Sequence, residues 1–405
     1  MPTPTLQKAT HSQTRAYNSQ LVLRTIYDQE LISRADVARR TGLTRTTVSD
    51  LVGELMELGL TEEVGRGPSN GGKAPILLRV ADDSRHLIGV DLGESEFSGA
   101  VVNLRGEVRR SARLPLNGRD GDEAVELVHQ LIDDLVGSNG DGLVGIGIGT
   151  PGIIDSEAGT VRWAVSLDWQ DLPLGSLIRE RHDLPVYVAN DSQAAALAEY
   201  IFGTDRRATN MAVIRVGRGI GAGLILNGEL FHGDGFGAGE IGHVTVDPQG
   251  DPCRCGRRGC LETVASTRAM LERAEAAASE NPNSILARLA KDAGGPVTID
   301  VLDSAADAGD ERARAIVDDA ARQLGRSIAA VIGMLDVHRV ALIGAATALG
   351  DRWLQRVRSE AERGALSLQT RGSVIEIGRV DPDRAVVLGA SAVLLTRELG
   401  LIPTR

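Results

Sequence analysis

Gly239-Glu240-Ile241-Gly242-His243-Val244-Thr245-Val246-Asp247, followed after five residues by Cys253-Arg254-Cys255-Gly256-Arg257-Arg258-Gly259-Cys260-Leu261-Glu262, is the stretch around which the rest of the chain is organised. It holds all three cysteines of a 405-residue chain within eight positions, with a histidine ten residues before the first of them. His243, Cys253, Cys255 and Cys260 therefore offer one imidazole and three thiolates, the ligand set of a closed tetrahedral zinc site. Free cysteines scatter and favour the core, so their concentration in a polar, glycine-bearing loop reads as a metal knot and not as packing. Gly256 and Gly259 let the loop turn back far enough for Cys260 to join the other two thiols. Four protein ligands leave no open position, so the expected Zn2+ is structural and braces a loop. Glu240 and Glu262 bracket the knot, which would hold two carboxylates in fixed directions, as suits a ligand rich in hydroxyls. Taken singly, either glutamate reads as an ordinary surface charge.

The pattern G-E-I-G-H…C-x-C-G-x-x-G-C-L-E resembles the signature of the ROK family of bacterial repressors, open reading frames and sugar kinases. The resemblance implies an α/β fold with the two lobes of an actin-like (ribonuclease H-like) sugar kinase and a ligand cleft between them. It also implies zinc on His243 and the three cysteines, and sugar contacts from Glu240, Glu262 and the zinc-bound His243 itself.

Composition agrees with a soluble globular chain: 42% apolar residues, 24% charged and only 3% aromatic, with 48 glycines. Neither a secretory leader nor an apolar run near the ~18 residues of a membrane span is present, so a cytoplasmic protein without membrane attachment is expected. The net charge is −11, yet residues 1–84 balance ten Lys/Arg against ten Asp/Glu, and residues 1–50 carry seven basic against four acidic. One end is locally basic, and the remainder would be repelled by a phosphate backbone.

That basic end has its own organisation. Residues 1–13 are polar, contain two prolines and read as a disordered arm. Leu21, Leu23, Ile26 and Tyr27 then recur at roughly helical spacing from Thr14 to Glu30. Ser33 is placed to cap a short helix Arg34–Arg40 that ends at Thr41-Gly42, and Thr44 to cap a second that runs from Arg45 to about Leu58. Two short helices about a glycine turn are a helix-turn-helix. A loop, Gly65 to Pro75, and a strand, Ile76–Val80, complete a winged helix-turn-helix over residues 14–84. Arg34, Thr44, Arg45, Thr46, Thr47 and Ser49, with Arg66 and Lys73 in the wing, are the expected contacts to double-stranded operator DNA. A helical protein-interaction module is the competing reading. Ile32 to Ser49 resembles the repressor branch of the ROK family, whose pattern is close to I-S-R-x-x-x-A-x-x-T-G-L-T-x-x-T-V-S.

Residues 85–405 form the expected sugar-binding body. Leu87–Gly93, Phe97–Leu104 and Val108–Leu114 read as strands, then a helix about Glu123–Val136 and a strand Leu143–Gly149 that leads to Thr150-Pro151-Gly152. A second lobe begins near Asn210, and a last helix, about Arg384–Leu399, is expected to return to the first lobe. Between the lobes, Pro185–Ser192 ends a strand in Asn190-Asp191. Asp191 alone reads as a helix N-cap. Resemblance to the kinases assigns it the place of the general base, makes Asn190 a sugar ligand and lets Gly152 lend backbone groups to the same pocket.

The nucleotide loops depart from the kinase pattern. Asp-x-Gly-Gly-Thr becomes Asp91-Leu92-Gly93-Glu94-Ser95, Gly-Thr-Gly-x-Gly becomes Gly217-Arg218-Gly219-Ile220-Gly221, and the later glycine-rich loop is reduced to Gly344-Ala345-Ala346. Glu94 would bring a negative charge towards a triphosphate. Where the family often has asparagine, Ser166-Leu167-Asp168-Trp169 stands, which leaves the sugar unassigned. The expectation is a sugar-responsive regulator, most simply a repressor of carbohydrate genes, that binds a sugar or sugar phosphate and catalyses nothing. It would act as a homodimer, which could pair into a tetramer. The alternative is an ATP-dependent sugar kinase that carries a DNA-binding domain.

Overall fold

The computed structural model describes residues 11–68, 74–137, 142–203 and 208–402. It opens with helix α1 (His11–Gln29), a short strand β1 (Ile32–Ser33), and helices α2 (Arg34–Thr41) and α3 (Arg45–Glu57). The two short helices start at the expected caps. The Ser33 hydroxyl accepts from the Asp36 amide and the Thr44 hydroxyl from the Thr47 amide, each satisfying a first-turn N–H that has no intrahelical acceptor. α3 turns Val48, Leu51, Val52 and Leu55 inward at three- and four-residue spacing. Strands β2 (Thr61–Arg66) and β3 (Ile76–Val80) then close an antiparallel sheet in the order β1–β3–β2, which makes the unit a winged helix-turn-helix. α1 begins at His11, so residues 11–13 belong to the helix and not to the arm. Both prolines of that arm lie earlier, at Pro2 and Pro4, and nothing after His11 breaks the turn.

The head does not pack alone. Val22, Leu23, Ile26 and Tyr27 of α1 share one hydrophobic cluster with Leu51 and Leu55 of α3 and with Leu87, Val102, Leu104, Leu394, Leu401 and Ile402 of the body. Polar contacts fix the same joint. The Tyr27 hydroxyl donates to the Leu104 carbonyl at 2.8 Å, and the Arg105 guanidinium lies 4.1 Å from the Tyr27 ring centroid. Arg105 also donates to the Tyr27 carbonyl at 2.9 Å and pairs with Asp82 at 3.0 Å.

The first lobe holds β4 (His86–Leu92), β5 (Glu96–Asn103), β6 (Val108–Pro115), α4 (Gly121–Val136) and β7 (Leu143–Thr150). A small sheet β8 (Ile153–Asp155), β9 (Thr160–Ala164) and β10 (Trp169–Leu172) follows, then α5 (Leu174–His182), β11 (Val186–Asn190) and α6 (Asp191–Ala198). The second lobe holds β12 (Met211–Val216), β13 (Ile220–Leu226), β14 (Glu229–Phe231), α7 (Glu262–Ala265), α8 (Thr267–Glu280), α9 (Ile285–Ala293), α10 (Ile299–Asp307), α11 (Glu311–Leu335), β15 (Arg339–Ile343), α12 (Gly350–Gly364), α13 (Ser367–Thr370) and β16 (Val374–Ile377). The sheet orders are β11–β7–β4–β5–β6 and β14–β13–β12–β15–β16. Each is an antiparallel three-strand meander extended by two parallel strands, so the lobes repeat one plan, that of the actin-like sugar-kinase fold. The central strands are apolar on both faces, as strands covered by helices on both sides must be.

Helix α14 (Ala385–Arg397) returns to the first lobe, as its sequence suggests, and lies across β4, β7 and α6. Its approach to α6 leaves no room for a side chain: a Cβ at Gly389 would sit 1.6 Å from the Ala194 carbonyl oxygen. α14 then runs into Leu401 and Ile402, which are buried in the cluster with α1. None of the helices among the described residues is long and apolar enough to cross a membrane. Gly389→Ala is expected to force α14 off α6 and lower stability by roughly 3 kcal/mol, read from urea unfolding. A loss below about 0.5 kcal/mol would show that the contact can relax at little cost.

Candidate metal centre and interlobe cleft

The metal loop rests on β13 and folds back on itself. The Val246 amide donates to the Gly259 carbonyl at 2.8 Å and the Leu261 amide to the Val244 carbonyl at 2.9 Å. Gly259 has φ 64°, and a Cβ there would lie 1.4 Å from the Asp247 carbonyl oxygen, so only glycine closes this turn. The closure brings one donor atom each from His243, Cys253, Cys255 and Cys260 within 4.8 Å of one another, and none of the thiols is in a disulfide. Cys255 Sγ and Cys260 Sγ are 3.7 Å apart, and Cys253 Sγ is 3.6 Å from His243 Nδ1. A tetrahedron built on zinc–sulfur and zinc–nitrogen bonds has edges of about 3.8 and 3.6 Å. The four residues can hold a metal of that kind. Burial pushes the Cys260 thiol up to about 12, so a thiolate at this position needs a cation beside it. Nδ1 of His243 faces the sulfurs, and Nε2 faces the Glu240 carboxylate 3.9 Å away on the cleft side.

The other candidate residues come together from both lobes. Asn190, not Asp191, caps α6. Its Oδ1 accepts from the Ser192 and Gln193 amides at 2.9 and 3.1 Å, and its Nδ2 donates to the Gly152 carbonyl at 2.9 Å. The capping position falls one residue earlier than expected because Asn190 is the last residue of β11, still extended, while Asp191 is already helical. Asp191 is engaged instead by Arg215 from β12, whose Nη1 donates to Oδ2 at 2.7 Å. Its Oδ1 accepts from the Ser192 amide at 2.7 Å. Glu262 is buried; its Oε2 accepts from the Ile220 amide at 3.1 Å and its Oε1 from Arg268 at 2.9 Å. Desolvation in the cleft, reinforced by Asp191 and Glu262, raises Glu240 to about 7. Asp91, at the end of β4, is raised to about 6, chiefly by burial and partly opposed by Arg215.

Arg215 escaped the reading of the sequence, although a signal existed. A cation inside the apolar run Met-Ala-Val-Ile-Arg-Val must find an acid when the strand is buried. The altered nucleotide loops also meet. Glu94 Oε2 pairs with Arg218 Nε at 3.0 Å, and Glu94 Oε1 lies 3.8 Å from Arg254 Nη1 in the metal loop.

On the head, Thr44, Arg45, Thr46 and Ser49 are exposed at the start of α3, and Thr47 is half-buried. The Thr44 and Thr47 hydroxyls share a 2.8 Å hydrogen bond. Arg34 is tied to Glu63 of β2 at 2.7 Å, which braces α2 against the wing. Lys73 lies outside the described residues.

Residues 87–397 match the ROK family model and residues 16–60 a winged helix-turn-helix DNA-binding model. The chain belongs to the ROK family. It is 34% identical over 401 residues to a xylose repressor of Caldicellulosiruptor bescii, covering 95% of this chain and 97% of that protein. A glucokinase of Halalkalibacterium halodurans is 37% identical over 311 residues but reaches only 75% of this chain. Among solved structures, a ROK family transcriptional regulator described as a homologue of the Escherichia coli MLC protein superposes with a TM-score of 0.82 at 27% identity, covering 96% of this chain and 98% of that one.

The raised value of Asp91 makes a directional statement about stability. Its folded value of about 6 exceeds an unfolded value of about 3.9, so its proton favours the folded state. That contribution is complete below pH ~4 and is lost as the pH rises to ~6. Asp91→Asn is therefore expected to match the parent at pH ~4 and to exceed it by roughly 3 kcal/mol above pH ~7. Thermal unfolding across this range checks the sign, and a gap that does not change with pH would contradict it.

Proposed function

We propose that the protein is a sugar-responsive transcriptional repressor in which occupancy of the interlobe cleft lowers affinity for operator DNA. The observation that carries the reading is the single hydrophobic core shared by the winged helix-turn-helix and the first lobe. A head built into one wall of a ligand cleft follows that wall when the cleft changes shape. The full-length likeness to a xylose repressor supports the same reading and makes D-xylose the first effector to test.

In this reading Asn190, Asp191, Glu240, His243 and Glu262 present acceptors and donors to sugar hydroxyls, and Gly152 supplies backbone at the pocket wall. His243 takes part through Nε2 while Nδ1 serves the metal. Zn2+ bound there by His243, Cys253, Cys255 and Cys260 would supply fixed geometry and no open coordination position. Asp191 does not serve as a kinase base. A general base must accept a proton from the substrate hydroxyl, and the Arg215 guanidinium occupies the Oδ2 that would do so. This ion pair supports a regulator without catalysis.

Arg45, Thr46 and Ser49 are the side chains free to meet base edges and phosphates, while Thr44 and Thr47 shape the start of the reading helix and Arg34 braces the wing. One such head reads a half-site, so two copies of the chain are needed for a two-fold operator. A sugar that binds the non-reading arrangement about a hundredfold more tightly shifts the equilibrium by ~2.7 kcal/mol, enough to turn a ~10:1 preference for the reading arrangement into ~1:10.

Arg45→Ala is expected to weaken binding to a DNA site selected from a random pool by at least about tenfold, the worth of one good base or phosphate contact. The thermal stabilisation given by the effector sugar should be unchanged. Anisotropy titration and a thermal-shift screen that begins with D-xylose check both arms. Unaltered DNA affinity would remove α3 from the reading role, and stabilisation by no sugar would remove the sensor.

A further inference from the structure

We propose that Glu94 is a specificity-determining residue that bars phosphate groups from the cleft, so that the effector is an uncharged sugar. The inference rests on the sensor reading above and narrows its ligand. Glu94 stands in the turn between β4 and β5 of the first lobe, Arg218 in the turn between β12 and β13 of the second, and Arg254 in the metal loop. One carboxylate thus spans three separate segments, 3.0 Å from Arg218 and 3.8 Å from Arg254. Its side chain is 29% exposed against 59% and 56% for the two arginines, so the negative group lies inward of the positive ones.

A phosphate ester carries close to two negative charges and needs donors that are not already committed. Each guanidinium here already faces a carboxylate. Arg215 is held by Asp191 at 2.7 Å, Arg268 by Glu262 at 2.9 Å, and Arg218 and Arg254 share Glu94. Asp91 and Glu240 add carboxylates within electrostatic reach of Asp191, facing Arg215 and His243 respectively. The helix terminus that could otherwise take an anion is closed as well: at the start of α6 the Ser192 and Gln193 amides already donate to Asn190. Hydroxyls can accept and donate within this arrangement without disturbing its charge balance. A phosphate drawn to Arg218 or Arg254 would meet the Glu94 carboxylate beside it as a like charge.

Inorganic phosphate is a probe that does not depend on knowing the sugar. With the metal-loaded full chain, calorimetric titration is expected to show no saturable phosphate binding. Glu94→Gln removes the competing charge and frees two guanidiniums, and should gain phosphate affinity by at least about tenfold over the parent. Glu94→Gly serves as a second variant should the glutamine form lose its fold, judged by unchanged melting and metal content. Saturable phosphate binding by the parent, or no gain in a folded variant, would overturn the inference. An uncharged sugar and its phosphate ester titrated in parallel separate this inference from the reading it rests on. Equal affinity for the two would overturn the role of Glu94 and leave the sensor standing. A gain of phosphate binding in Glu94→Gln with no sugar bound by the parent would uphold Glu94 and sink the sensor.

Discussion

The joint between Tyr27 and Arg105 governs how this molecule can behave. Tyr27 is fully buried, its hydroxyl bound to the body and its ring covered by a guanidinium that also holds the backbone beneath it. Around it, apolar side chains of α1, α3, β5 and the end of α14 form one continuous cluster. A winged helix-turn-helix on a flexible tether would be insensitive to events in a distant cleft. One that shares its core with a lobe has no freedom to stay behind when that lobe moves. Helix α14 extends the continuity towards the other lobe, since it packs against α6, which Asn190 caps and whose first residue, Asp191, is held by Arg215.

Ion pairs tie the two lobes together where the altered glycine loops meet. Arg215 holds Asp191, and Glu94 holds Arg218 and Arg254. All three cross between lobes, but only Arg215–Asp191 is largely sheltered from solvent and weakly screened, while the two arginines on Glu94 are more than half exposed. The cysteine loop belongs to the same construction, since Arg254 stands between two of the clustered thiols and His243 turns its second nitrogen towards Glu240. Bracing the loop therefore fixes cleft groups at two points.

Much of this was legible in the sequence because it is local. Ser33 and Thr44 announce two helix starts, apolar runs give the strands of the first five-stranded sheet, and the spacing of His243 and three cysteines gives the donor set. What the sequence hid depends on distant partners. The sheet β8–β10 is made of short strands with exposed polar positions and little periodicity. β2 reads as a polar connection because only Thr61 is buried. Glu94 and Arg218 look like two independent losses of glycine or threonine, and their pairing across 124 positions appears only in three dimensions. The shared core was invisible for the same reason: Tyr27 fits an amphipathic helix whether its partner is the head or the body.

The central claim, that the head moves with the first lobe and not independently of it, is tested most directly by pulsed spin-label distances. Labels carried on unnatural amino acids at the exposed positions Glu57 of α3, Glu123 of α4 and Glu280 of α8 leave the metal-binding thiols untouched. On addition of the sugar that stabilises the protein, the Glu57–Glu123 distance should stay within label error while Glu123–Glu280 changes. A change between Glu57 and Glu123 with the lobes fixed relative to each other would contradict the account.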